Sequence, residues 1–177
     1  MSFVDAIKTC YRKYVALSGR ASRSEYWWFV LFLLLGSTMS AMIDRAIYGD
    51  ELIERYVIDE LTYATIETTG PFASIFWLLA VLPFLAAGWR RMHDTGRSGL
   101  FLLAPFVVIL GVGIFDLFLA VTHDNAGWAN DGSIVIPILI AGLVAFLLSI
   151  LWVLWLLTRA SQLGTNNHGP APQEVLQ

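Results

Sequence analysis

The chain is short of cysteine, short of charge and shorter still of lysine, and each shortage excludes something. One cysteine, Cys10, rules out an intrachain disulfide and any cysteine-based zinc site, so it is expected to pack as a small apolar residue. Charged residues make up 14% of the 177 positions, where an ordinary soluble domain carries about 25%. No lysine follows Lys13. The net charge of −3 and the lack of a basic stripe argue against nucleic acid as a partner. No calcium-ligand loop and no second His or carboxylate motif completes a metal site, so no metal or cofactor is expected.

What is there instead is apolar. The hydrophobic share is 57%, more than one soluble core of this size can bury, and lipid supplies the missing apolar solvent. Four runs, 26–43, 72–89, 100–121 and 134–157, are long enough to cross a bilayer. At 1.5 Å per residue each covers roughly 27–36 Å, against a hydrocarbon core of about 30 Å. Only helix keeps every backbone donor paired in lipid. The third run is the least regular, because Gly111, Gly113 and Asp116 interrupt it. The first run is not expected to be a cleaved signal peptide: about 25 polar-rich residues precede it, and no convincing small-x-small site follows. The expected fold class is all-α, an integral membrane four-helix bundle with an N-terminal amphipathic interfacial helix, in a single membrane domain over 1–177.

Direction follows from the cations. Lys8, Arg12, Lys13, Arg20 and Arg23 precede the first run, Arg90, Arg91 and Arg97 lie between the second and third, and Arg159 follows the fourth. The opposite side has Arg45 and Arg55 among Asp44, Asp50, Glu51, Glu54, Asp59, Glu60 and Glu67. Basic loops stay inside, so both termini are expected in the cytoplasm. Trp27, Trp28, Trp89, Trp152 and Trp155 fall near the inner headgroup level, where indole rings prefer to sit.

The segments outside the spans have patterns of their own. Over 2–17, Phe3, Ile7, Cys10, Tyr14 and Leu17 form one apolar stripe opposite Asp5, Lys8, Arg12 and Lys13. That pattern predicts a basic amphipathic helix, lying in the headgroup plane or packed on the protein's own inner face. In the acidic outer segment 44–70, Leu52, Ile53, Tyr56, Val57, Leu61 and Ala64 have helical spacing, which predicts a short amphipathic helix there. The glycines and prolines of the tail, 158–177, predict irregular structure. Close helix contacts are expected at Gly36 with Ser40, and at Ala141, Ala145 and Ser149, within one chain or in a homo-oligomer.

Three polar motifs border the spans on the inner side: GRASRSEYWWF at 19–29, RRMHDTGRSG at 90–99 and QLGTNNHGPAP at 162–172. On these motifs together the chain resembles the YhaH-type inner-membrane proteins of bacteria, a family without an assigned reaction. The resemblance covers nearly the whole chain, from the amphipathic start to the glycine-proline tail, with the outer loop not expected to match. It implies a bacterial inner-membrane location. His168 stands where that pattern would have an aromatic or similarly bulky residue, and carries no chemistry in this reading.

Physical reasoning takes the motifs further. Glu25 falls in the first turn of span one, where the helix dipole favours negative charge, and Ser22 or Ser24 can cap that helix. The inner loop after span two is only about ten residues, with Thr95-Gly96 as its turn, so spans two and three should form a tight hairpin. That gathers Arg20, Arg90, Arg91, Arg97, Glu25, His93, Asp94 and Asn166 near the headgroup level. Two accounts fit the cluster. In one, Glu25 and Asp94 pair with arginines and lock three segments together. In the other, Arg20, Arg23, Arg90, Arg91 and Arg97 bind an anion or a lipid headgroup through geometry that lysine cannot match.

Three function classes follow. The favoured one is a non-enzymatic structural, regulatory or lipid-associated module, with membrane lipids, anionic phospholipid among them, as partners. A small oligomeric transporter is the alternative; its one intramembrane carboxylate, Asp116, lies about 24 Å along span three, where pairing with Arg45 is the simpler role. A lipid-headgroup enzyme using His93 and Asp94 comes last, because adjacent residues rarely aim at the same atom.

Overall fold

A computed structural model describes residues 1–49, 53–57, 63–67, 69–123 and 132–172, with backbone alone at 53–57, 63–67, 119–123 and 132–135. The elements in chain order are α1 (Phe3–Arg12), α2 (Arg23–Tyr48), β1 (Ile53–Val57), β2 (Tyr63–Glu67), α3 (Pro71–Asp94), a 3-10 turn (Gly99–Leu103), α4 (Ala104–His123) and α5 (Gly132–Thr158). Among the described residues four helices are long and apolar enough to cross a membrane: Arg23–Tyr48, Pro71–Asp94, Gly99–Phe118 and Ile136–Thr158. The all-α class therefore holds for the spans and for the N-terminal helix. Gly111 and Gly113 do not break the third span, since α4 runs through both.

The residues group into two compact units that interleave along the chain: Met1–Leu17 with Ser24–Ala87, and Ser18–Arg23 with Gly88–Gln177. In the first unit α1 packs on its neighbours as well as being amphipathic. Ser2 caps it by accepting from the Asp5 backbone N–H. Ala6 and Cys10 are fully buried, so the lone thiol is a core residue. Phe3 meets Trp28 edge-on at 5.9 Å, and Tyr11 meets Phe29 and Phe32 at 5.8 and 6.1 Å.

The end of the α1 segment also repairs a defect in α3. Pro83 sits inside that helix and has no N–H, so the carbonyl four residues earlier, Leu79, loses its helical donor. The Tyr14 hydroxyl donates to that carbonyl at 3.0 Å. Within a membrane such a freed group needs a substitute partner, because lipid offers none.

At the other end of α3 a carboxylate from α2 takes the place of a cap. Asp44 is 1% exposed; its Oδ1 accepts from Phe72 N at 3.0 Å and its Oδ2 from Ala73 N at 2.7 Å. Pro71 opens the helix where its missing N–H costs nothing. Gly70 precedes it because a Cβ there would collide with the Asp44 carboxyl. Nearer the middle, Gly36 lets the Phe76 ring lie against the α2 backbone, a contact any side chain would obstruct. Ser40 Oγ donates back to the Gly36 carbonyl at 2.8 Å.

Beyond α2 the acidic segment is not the short helix its spacing suggested. β1 and β2 pair antiparallel, with Ile53 opposite Glu67, Arg55 opposite Thr65 and Val57 opposite Tyr63. The apolar residues there are mostly β-branched or aromatic, and that preference for extended backbone outweighs a helical spacing with few repeats. Leu52 and Leu61 lie outside the described residues, as does 124–131 of the last outer loop.

In the second unit α4 packs on α5. The close approach is at Gly142, where a Cβ would stand 2.9 Å from Val112 Cγ2. The expected face at Ala141 and Ala145 is instead exposed within the chain. Small residues permit a close contact, but the absence of any Cβ decides where it forms.

The hydrogen bond from Tyr14 to the proline-freed carbonyl gives a double-mutant test on the full chain in micelles. Tyr14→Phe is expected to cost about 1–3 kcal/mol in an unfolding titration, since the Leu79 carbonyl is left unpaired where lipid offers no donor. In a Pro83→Ala background the helix regains its own donor, and the same change should be nearly neutral. Equal losses in both backgrounds would show that the tyrosine acts through packing alone.

Candidate functional site

The polar residues of the second unit converge on one carboxylate. α3 ends in a Schellman turn: the Gly96 N–H donates to the His93 carbonyl at 3.0 Å and the Arg97 N–H to the Met92 carbonyl at 3.1 Å. Gly96 has φ +75°, the left-handed conformation this cap requires, and a side chain there would also strike Gln162. The expected Thr95-Gly96 turn is thus the helix cap itself. It leaves Asp94 as the last helical residue, fully buried.

Asp94 serves two guanidinium groups. Arg20 Nε and Nη2 both reach Asp94 Oδ1 at 2.9 Å. Arg91, one turn earlier on α3, donates through Nη1 to Oδ2, and the Ser161 hydroxyl donates to the same oxygen. Exposure of these ion-paired side chains is 1% for Arg20 and zero for Arg91 and Asp94, so the network is closed to water. One anion facing two cations leaves positive charge over, and backbone carbonyls meet it. Arg91 Nε donates to Leu157 O at 3.0 Å and its Nη2 to Arg159 O, carbonyls at the C-terminal end of α5 that have no helical donor. Arg20 Nη1 donates to Gly164 O at 2.6 Å and its Nη2 to Gln162 O.

The tail is folded around these cations. Gly164 has φ +74°, which only glycine adopts freely, and its carbonyl faces Arg20. Gln162 N donates to the Asp94 carbonyl at 3.0 Å. Asn166 Nδ2 donates to the His93 carbonyl at 2.9 Å, while its Oδ1 accepts from His168 N at 2.9 Å. A local bridge between Asn166 and Gly169 closes this turn, and residues 173–177 fall outside the description. The His168 ring then lies flat on His93, 3.8 Å between centroids and 5° from parallel. His93 Nδ1 is 3.2 Å from the Gly19 carbonyl. A flat ring at position 168 is what this stack needs, and the imidazole supplies it.

Of the residues singled out from sequence, Arg20, Arg91, His93, Asp94 and Asn166 meet in this network. Arg90 is fully buried beside it, its carbonyl accepting from Ala21 N at 3.1 Å. Arg97 and Arg23 stand outside the core of the cluster, Arg23 exposed at the start of α2. Glu25 is buried in the first turn of α2, in the first unit. Arg45 is exposed on α2 and Asp116 half-buried on α4, each in a different unit. Sequence reasoning did not find Ser161, the role of Gln162 or the stacking role of His168; the polar motif at 162–172 was the signal for the last two. It also passed over Asp44, which looked like one more residue of an acidic outer loop. Among the described residues no three His, Cys, Asp or Glu side chains are grouped to hold a metal ion.

Residues 14–170 match the family described as Protein of unknown function (DUF805), a stretch that takes in all four spans and begins after α1. The chain is 38% identical to Inner membrane protein YhaI of Escherichia coli strain K12 over 125 residues, 68% of this chain and 88% of that protein. It is 30% identical to Inner membrane protein YhaH of the same strain over 117 residues, 64% of this chain and 85% of that one. No solved structure matches it.

Asp94→Asn keeps the shape of the site but removes the carboxylate at its centre. The loss expected in an unfolding titration of the micellar protein is about 3–5 kcal/mol, the usual cost of leaving a buried charge without its partner. The tail should open at the same time, so limited proteolysis should cut near 162–169 in the variant and not in the parent. A variant as stable and as resistant as the parent would mean that the carbonyls alone hold the two arginines.

Proposed function

Because the chain belongs to the DUF805 family of proteins of unknown function, with curated relatives named as inner-membrane proteins, we propose that it is a non-enzymatic, lipid-associated module of the bacterial inner membrane. Both termini face the cytoplasm in this reading. The four apolar helices and the gathering of lysine and arginine at one end of them support that placement.

The observation that carries the non-enzymatic reading is the closure of the Asp94 network. Arg20 and Arg91 direct their donors to a carboxylate and to backbone carbonyls inside the protein, which suits a clamp holding α3, the end of α5 and the tail together. His93 and Asp94, the pair that could have served as base and orienter, face different partners: Asp94 its arginines, His93 the Gly19 carbonyl and the His168 ring. General acid–base chemistry needs a donor and an acceptor aimed at a common reacting atom, and neither side chain is so aimed. The module would then act by presenting surface to lipid or to other membrane components.

Two measurements test this. A reporter fused after Gln177 should be active only in the cytoplasm; activity on the far side would refute the orientation. Metal analysis of the purified full chain should find no stoichiometric ion, and one zinc or manganese per chain would overturn the non-enzymatic assignment.

A further inference from the structure

Two arginines of the second unit that lie outside the Asp94 clamp share one aromatic neighbour. Arg97 follows the turn that ends α3, and Arg159 comes directly after α5. Both guanidinium groups lie against one indole: the carbons are 6.0 Å and 4.7 Å from the Trp155 ring centroid. Among the described residues neither is paired with a carboxylate, and neither is sealed from solvent. The contrast with Arg20 and Arg91 is chemical. Those two have their donors satisfied internally, whereas a guanidinium resting on an aromatic face keeps its N–H edge free.

The surroundings say what that edge would meet. Leu100, Phe101, Trp152 and Trp155 are all exposed, and Phe101 meets Trp152 edge-on at 5.6 Å. Trp155 is three residues from the end of a helix long enough to cross the membrane, at the depth where indoles border the headgroup layer. An apolar and aromatic surface beside two cations suits an amphiphile: acyl chain against the rings, phosphate against the guanidinium groups. A planar guanidinium also matches phosphate oxygens in paired hydrogen bonds.

We propose that Arg97, Arg159 and Trp155 form a binding site for the phosphate of an anionic phospholipid. This deepens the lipid-associated reading above and rests on it for the leaflet. The ring holds the two cations in place, and the lipid phosphate supplies the negative charge that no side chain among the described residues brings to them.

The test uses the full chain in mild-detergent micelles doped with equal phosphatidylglycerol and phosphatidylcholine, with retained lipid counted by native mass spectrometry. The parent should retain phosphatidylglycerol preferentially. Arg97→Gln with Arg159→Gln should lower that preference about tenfold or more, as expected for two surface cations. Trp155→Leu, which keeps apolar area but loses the ring, should lower it too, and it decides the matter if the double variant fails to fold. Arg12→Gln with Lys13→Gln, an exposed basic pair on and beside α1, should leave it unchanged. A parental preference in the Arg97/Arg159 variant, or an equal loss in the Arg12/Lys13 variant, would overturn the site. Millimolar inorganic phosphate should not displace the lipid; if it does, the ligand is free phosphate and the lipid assignment fails. A C-terminal reporter on the wrong side would refute the orientation while leaving this lipid preference intact, so the two failures are distinguishable.

Discussion

A single buried carboxylate organises the polar end of this protein. Asp94 faces Arg20 on one oxygen and Arg91 with Ser161 on the other, out of contact with water. A buried ion pair is not in itself a source of stability, since the desolvation of both partners offsets much of their attraction. What it contributes here is specificity. Two guanidinium groups can be buried together only if something absorbs their charge, and one carboxylate with a ring of carbonyls does so in one arrangement. That arrangement dictates the path of the tail, because Gln162 and Gly164 must present their carbonyls to Arg20.

The same accounting of polar groups governs the first unit, with different partners. α3 has two places where its backbone lacks a helical partner: the N–H groups of its first turn and the carbonyl opposite Pro83. Asp44 from α2 answers the first, and Tyr14 from the segment after α1 answers the second. Neither contact is an ornament in a lipid environment. Water would satisfy such groups in a soluble protein; hydrocarbon cannot, so a side chain from another element has to. The helical segment before the spans is therefore tied to α3 by hydrogen bonding as well as by apolar area.

The arginines around the end of α3 are of two kinds that look alike in sequence. Arg91 and Arg97 are six residues apart in one basic stretch, yet the first is sealed against a carboxylate and the second rests on an exposed indole. The difference arises from the Schellman turn between them, which reverses the chain after Asp94 and carries Arg97 away from the network. Residue type gives both the same charge; only the turn gives them different neighbours.

The spans were legible in the chain itself because lipid imposes a one-dimensional rule: about twenty apolar residues in succession, whatever they pack against. The amphipathic start and the Thr95-Gly96 turn were legible for similar reasons, since each depends on residues close in sequence. The outer hairpin was not, because helical spacing and β-branched composition pointed opposite ways and sequence offered no means to weigh them. Nor could sequence show that Asp44 caps α3, that Gly142 rather than Ala141 meets α4, or that His168 lies on His93. The sequence by itself determined the medium, the number of crossings and which residue types gather near the ends. Which arginine is sealed inside and which is left at the surface was decided only by tertiary structure, because that depends on carbonyls and a carboxylate brought together from segments about seventy residues apart, which no local pattern encodes.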